Sequence, residues 1–255
     1  VPEAGPAPQD LATALRSLGG AGPFFILEGP GPGDPPGGWR PVGALVADEA
    51  LLRGRVEAGR ALLARLAGLA PGEVEQRVAA SVVVLGVAAR LSAPVLGLAA
   101  LHGMVPQPDG LRWRDAGPGP VALRLDPGTS WAATGGAPRL ADALQEQLVE
   151  PLLVPLARTA RRVAPLARAL LLGNVASGLA GAAAVLARHD AEAGGRAHDL
   201  VDRLLARHPL RGAGGASRGF RRSTCCLYYR LPGGGTCGDC PLPAGTALAP
   251  GRSSG

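Results

Sequence analysis

The sequence predicts an α+β protein that is mainly helical: a helical core with a small β-hairpin and a C-terminal cysteine-rich loop. Three observations carry this reading. Apolar residues recur at helical spacing through most of the chain, strict two-residue alternation is confined to residues 111–125, and all four cysteines fall between residues 225 and 240.

Taken in order, Leu11, Leu15 and Leu18 place a short amphipathic helix at 10–18. A Gly/Pro-rich passage to about residue 42 encloses Phe24-Phe25-Ile26-Leu27, an apolar run predicted as a short strand. From Asp48 to Leu69 the helical period puts Leu52, Val56, Leu63 and Leu66 on one face, with Arg53, Arg60 and Arg65 largely on the other, and Pro71-Gly72 as the stop. Glu73–Arg90 and Pro94–His102 read as two helices divided near Ser92–Pro94, because proline removes an interior helical hydrogen bond. In 111–125, LRWRD and VALRL alternate around the turn-forming AGPGP, the pattern of a hairpin with one buried face.

A loose segment then runs through Gly136. Helix returns at about 139–150 and is broken or kinked by Pro151 and Pro155 before another helix at 157–163. Pro165–Arg188 reads as the longest buried helix, with Gly173, Ser177 and Gly181 as a face for close approach, and 196–207 as the last helix, ended by His208-Pro209. The expected organisation is 1–42, an N-terminal helix and Gly/Pro-rich segment; 43–210, the helical core with its hairpin; 211–241, a linker and cysteine loop; and 242–255, a disordered tail.

At 255 residues the chain can bury a substantial core, although Gly (39) and Pro (25) bring irregular connections. Its net charge is +6, and all 26 basic residues are arginine. Such a balance suits an anionic partner, whether a membrane surface or an acidic redox protein, and equally a solvated basic surface. With 3% aromatic residues and no arginine run interleaved with aromatics before residue 218, base-reading nucleic-acid binding is excluded from the expected functions. The first twenty residues lack a basic stretch followed by an apolar core, so no signal peptide is expected there and a reducing, cytoplasmic setting is. Ser81–Leu101, interrupted by Arg90 and Pro94, and Ala169–Ala187, rich in Ala and Gly with Asn174 inside, read as buried helices rather than spans. Peripheral association with the inner face of a membrane stays open.

In a reducing compartment, clustered thiols favour metal or redox chemistry over a structural disulfide. The pattern is Cys225-Cys226, ten residues, Cys237, two residues, Cys240. Four thiolates are a full ligand set for a [2Fe–2S] cluster or a structural zinc. Cys237-Gly238-Asp239-Cys240 is a chelate, whereas side chains of adjacent residues diverge in an extended backbone. Cys225 and Cys226 can therefore serve one compact site only if the chain turns there. Two irons relax that demand compared with one tetrahedral zinc, and an unmetallated thiol cluster is the remaining alternative. Arg221, Arg222 and Arg230 would favour a reduced, more negative cluster if they point inward, while Tyr228 and Tyr229 would shield the site or pack in the core.

The motif C-C-x10-C-x2-C in CCLYYRLPGGGTCGDCPL resembles the cluster motif of the FhuF-type ferric-siderophore reductases, with its spacing matched without a gap. LLLGNVASGLAGA and, more weakly, VAASVVVLGVAARLSAPVLGLAALHG are also similar to that family, so the likeness extends over roughly 40–241. What it implies is a cytoplasmic [2Fe–2S] protein that passes one electron to the Fe(III) of an imported ferric siderophore. Cys225, Cys226, Cys237 and Cys240 would be its ligands, no catalytic residue is implied beyond the cluster, and the electrons would come from a ferredoxin, a flavoprotein or a thiol system. A zinc-stabilised interaction module and a non-catalytic cluster-bearing electron shuttle or redox sensor fit the same cysteines.

Other chemistry is thin. His102, His189, His198 and His208 read as surface or helix-end residues, and His189 and His198 are spaced to opposite sides of a helix. GAGGASRG at 212–219 lacks the lysine and following helix of a phosphate loop. Asn174, polar in an apolar helix, is expected to satisfy a buried backbone group.

Overall fold

Helix α4 (Gln76–His102) is the axis against which the other elements are laid. Residues 4–5, 11–29, 38–117, 119–132, 135–243 and 246 are described by the computed structural model. The predicted break at Ser92–Pro94 does not occur, and α4 continues through Pro94 with every residue from Arg90 to Ala100 buried. Inside a core, a helix keeps its peptide groups paired, whereas a break would strand several of them in place of the one bond that proline forfeits. Gly103, at φ 66°, ends the helix in the left-handed conformation.

The most extensive partner of α4 is α7 (Arg168–His189), which was expected from residue 165. The two backbones approach at Gly178, where a Cβ would stand 2.9 Å from Ala89 N. α8 (Ala191–Leu205) begins earlier than expected, because the Asp190 carboxylate accepts the Ala193 N–H at 2.9 Å. Gly194 lies inside α8 rather than interrupting it, since a Cβ there would meet Ala187 Cα at 2.1 Å. α4 and α7 are long and apolar enough to cross a membrane, but 72% and 67% of their most apolar windows are buried inside this fold.

Around this pair lie α1 (Leu11–Gly20), α2 (Val42–Ala47) and α3 (Glu49–Ala67). The run at Phe24–Leu27 is not a strand. Pro23 starts a 3₁₀ turn over Pro23–Phe25, with Phe25 and Leu27 buried, and only Glu28 makes a bridge, to Arg124. Asp48 caps α3, and Leu52, Val56 and Leu63 are buried as expected. Leu66, assigned to the same face, is 73% exposed, and the helix ends at Gly68 (φ 69°) rather than at Pro71-Gly72.

Short strands β1 (Ala4–Gly5), β2 (Arg40–Pro41), β3 (Val105–Pro106), β4 (Leu111–Arg114), β5 (Ala122–Leu125) and β6 (Trp131–Ala132) form two antiparallel sheets, β1-β6-β3 and β2-β4-β5. The predicted hairpin is β4–β5: Leu111 faces Leu125 and Trp113 faces Leu123, all four buried. Two buried arginines attach it. Arg55 donates to Asp115 Oδ1 (2.8 Å) and to the carbonyls of Gly117 and Gly119 (2.6 and 2.7 Å). Arg90 donates to the carbonyls of Val121, Phe24 and Ile26 (2.9, 2.9 and 2.6 Å), and burial lowers its pKa to about 10. The residue expected to interrupt an apolar helix thus ties two segments to it, Phe24–Ile26 and Val121 at the edge of β5.

α5 (Ala137–Leu144), a π-helical stretch Gln145–Leu153 and α6 (Val154–Val163) run on, so that where a break or kink is predicted the helix is distorted to π and not broken. The wider π turn takes up Pro151, and Pro155 follows it in the first residues of α6. The first three residues, 30–37, the 118 turn position and most of the expected 242–255 tail lie outside the described residues.

The glycines of α7 are therefore not equivalent. Gly178→Ala should destabilise the full chain by about 1–3 kcal/mol through overpacking against the α4 backbone. Gly181→Ala, with open space at its Cβ, should be neutral or stabilising. Urea unfolding of the two variants checks the contrast.

Candidate metal centre

The segment expected as a linker, 211–219, folds back onto α8 and delivers the cysteine loop to α7. The Ser217 N–H donates to Asp202 Oδ1 at 2.7 Å, and its hydroxyl donates to the His198 carbonyl at 3.1 Å while lying 3.0 Å from His198 Nδ1. His198, expected at a surface or helix end, is buried, and burial with the nearby Arg218 charge lowers its pKa. Gly214 bridges Arg222, and Ser223 N–H donates to Ala213 O at 3.0 Å.

The turn that adjacent cysteines require is present. Leu227, immediately after them, adopts φ 69°, a left-handed conformation that no other described residue except glycine shares. Its N–H donates to Cys225 Sγ at 3.3 Å. The chain then passes through a 3₁₀ turn at Tyr228–Arg230 and returns by way of Gly234, where a Cβ would meet Tyr228 O at 2.5 Å. Cys237 and Cys240 close a further turn, with Cys240 N–H bonded to Cys237 O at 3.1 Å.

The result is two thiol pairs. Cys226 Sγ and Cys237 Sγ are 3.6 Å apart, and Cys225 lies near Cys240, beyond direct sulfur–sulfur contact. Among the described residues, no three His, Cys, Asp or Glu side chains gather as a cage for a single ion. Two pairs of soft sulfur donors, each drawn from both halves of the motif, are the donor set that two tetrahedral irons share, so the residues fit a [2Fe–2S] group. As free thiols, Cys225 and Cys237 resist ionisation: burial raises the pKa of both, that of Cys237 also through Asp239 and Cys226 beside it.

Of the three flanking arginines, Arg222 alone points inward. It is 4% exposed and donates to Asp239 Oδ2 (2.8 Å), Ser177 Oγ (2.9 Å) and Asn174 Oδ1. Burial works against its charge, but Asp239 and the Cys226 and Cys237 sulfurs outweigh that and raise its pKa. Asp239 is likewise disfavoured as an anion by burial, and the Arg222 and Ser177 hydrogen bonds bring its pKa below the usual carboxylate value. Asn174 passes the connection on, donating to Ser81 O at 2.9 Å and Ser81 Oγ at 3.0 Å, and Ser81 Oγ donates to Cys226 O at 2.7 Å. A closed polar circuit thus joins α4, α7 and both halves of the cysteine loop. Asn174 satisfies a buried carbonyl, as expected, and also orients the arginine.

Arg221 is exposed and donates to Cys240 O at 2.6 Å, while Arg230 pairs with Glu75 at the start of α4. Tyr228 packs half-buried against the core. Gly173 and Ser177, expected to allow close approach by another element, receive the loop: a Cβ at Gly173 would meet Thr224 Oγ1 at 2.7 Å. Sequence reasoning missed Ser81, Asp239 and the His198–Ser217 contact. The signal for the first two was a lone hydroxyl in VAASVVVL and an acid between two chelating cysteines.

Removing one member of the buried pair leaves the other uncompensated. Arg222→Met should lower the unfolding free energy of metal-free protein by on the order of 3 kcal/mol, and Asn174→Ala by about 1–3 kcal/mol. Denaturant titration of the full chain is the check. Values within error of wild type would show that the circuit does not hold the loop.

Residues 222–242, the loop from Arg222 past its last cysteine, match the family model described as the FhuF 2Fe-2S C-terminal domain. No curated protein matches the chain.

Proposed function

From the premise that this is an iron–sulfur protein with a FhuF-type [2Fe–2S] C-terminal domain, we propose that it reduces the Fe(III) of a ferric siderophore and releases iron as Fe(II). The observation that carries this reading is the pair of dithiol sites on a loop at the edge of the fold, backed by the buried Arg222. Cys225, Cys226, Cys237 and Cys240 are the proposed ligands. When bound, the cluster supplies a one-electron couple, and Fe(II) is held more weakly than Fe(III) by hard anionic oxygens.

The chain's own residues do the rest. Arg222 holds a positive charge beside Cys226 and Cys237, which favours the more negative, reduced state. The Leu227 N–H, aimed at Cys225 sulfur, acts in the same direction. Cys226 and Cys240 are buried whereas Cys225 and Cys237 are partly accessible, so the loop shields one side of the site and leaves another open. No general acid or nucleophile is needed, since only an electron moves. The substrate is a ferric siderophore, a ferredoxin, flavoprotein or thiol system replenishes the electron, and the reaction belongs in the cytoplasm.

Cys→Ser at 226, 237 or 240 should bleach the visible spectrum while helical circular dichroism is kept; an unchanged spectrum in all three would remove the ligand assignment. For activity, protein reduced with dithionite and freed of excess reductant is mixed anaerobically with ferric hydroxamate, catecholate and citrate chelates in parallel and a ferrous-specific dye, and read on the chelate that reacts. The reading expects about one Fe(II) per reduced cluster, with the cluster reoxidised in step. Stable reduced cluster and no Fe(II) across hydroxamate, catecholate and citrate chelates would instead leave an electron shuttle or sensor.

A further inference from the structure

Beside the cysteine loop lies a cleft of about 730 Å³, between α7, His198 of α8 and residues 217–221. Gly238 and Asp239, the two residues between Cys237 and Cys240, form part of its wall. Its size falls within the range of about 300–1,000 Å³ that encloses small-molecule ligands, and it opens to solvent.

Its charge is specific. Arg218 and Arg221 both line it and both are exposed, and neither forms an ion pair with a carboxylate among the described residues. The one acid in the wall, Asp239, is committed to Arg222 behind it. His198, buried and with its pKa lowered, adds no compensating charge. The cleft therefore presents two guanidinium groups without a carboxylate partner among the described residues, Arg218 on the segment leading into the cysteine loop and Arg221 just before its first cysteines. Along α7 its floor is small: Ala180, Gly181 and Ala184 leave the space open, and a Cβ at Gly181 would touch nothing within 4 Å.

We propose that this cleft binds a net-anionic, oxygen-donor chelate of trivalent iron, with Arg218 and Arg221 engaging its oxygen atoms, and that it discriminates against neutral chelates of similar size. The assignment rests on the ferric-chelate reading above and names the site and the charge class that the reading leaves open. Guanidinium groups suit it because their planar donors pair with carboxylate, catecholate or hydroxamate oxygens. Placement against the Cys237–Cys240 turn puts the chelate on the loop rather than at a remote surface.

Binding is separable from electron transfer by using gallium, which matches ferric ion in charge and coordination but is not reduced. Cluster-loaded full-length protein is titrated calorimetrically with a trianionic Ga(III) tris-catecholate and with a neutral Ga(III) trihydroxamate. The trianionic complex should bind at least about tenfold more tightly, and Arg218→Glu should weaken it by about tenfold or more. Arg218 makes no structural hydrogen bond among the described residues, so that variant should keep its cluster spectrum and melting temperature. Gly181→Leu, which fills open space with a better helix former, should also reduce binding without loss of stability. Equal affinity for the two complexes, or affinity unchanged in Arg218→Glu, overturns the proposal. Gallium binding that behaves as expected alongside no reduction of the ferric counterpart retains the cleft and rejects the reductase reading. Reduction that proceeds normally in Arg218→Glu does the reverse.

Discussion

A buried arginine holds this structure's functional end together. Arg222 sits behind the cysteine loop with its guanidinium shared among Asp239 of the loop and Ser177 and Asn174 of α7, so it ties the loop to that helix. Isolated burial of a guanidinium would be prohibitive; it is tolerated because an anion and two neutral acceptors meet its donors. The same arrangement fixes Asp239 between Cys237 and Cys240 and, through Asn174 and Ser81, fixes Cys226. The thiols are thus drawn together by the protein's own polar contacts. A loop organised in this way loses less conformational entropy when a metal group is assembled on it.

The helical core can be read as the support for that circuit. α4 and α7 are both nearly apolar, and each contributes one polar side chain to this circuit, Ser81 and Asn174. Gly178 lets the two helices approach closely enough for those side chains to meet. Gly173 then leaves room for Thr224 and the incoming loop. Close packing of the helices and placement of the cysteines are consequently one geometric problem, solved along a single face of α7.

Legibility in the sequence followed the range of the interactions. The hairpin was readable because a period of two is a local signal, and the cysteine spacing because four thiols with that separation have few other uses. Breaks were misread wherever the tertiary setting overrode a local rule. Pro94 and Pro151 lie in helices whose burial outweighs the missing bond, and Gly194 lies in a helix because its neighbour leaves no space for a Cβ. The direction of Arg222 was out of reach for a different reason. Arg221, Arg222 and Arg230 look alike in a string of letters, and only the fold turns one toward Asp239, one toward the Cys240 carbonyl and one toward Glu75.

The most direct test of the central claim, that the loop anchored by Arg222 holds a two-iron cluster on its four cysteines, is metal and sulfide analysis with electron paramagnetic resonance on anaerobically purified full-length protein. The account predicts about two irons and two acid-labile sulfides per chain, silent when oxidised and giving a spin-one-half signal after dithionite. A colourless protein holding about one tightly bound zinc per chain, with no sulfide and no signal after reduction, would contradict it.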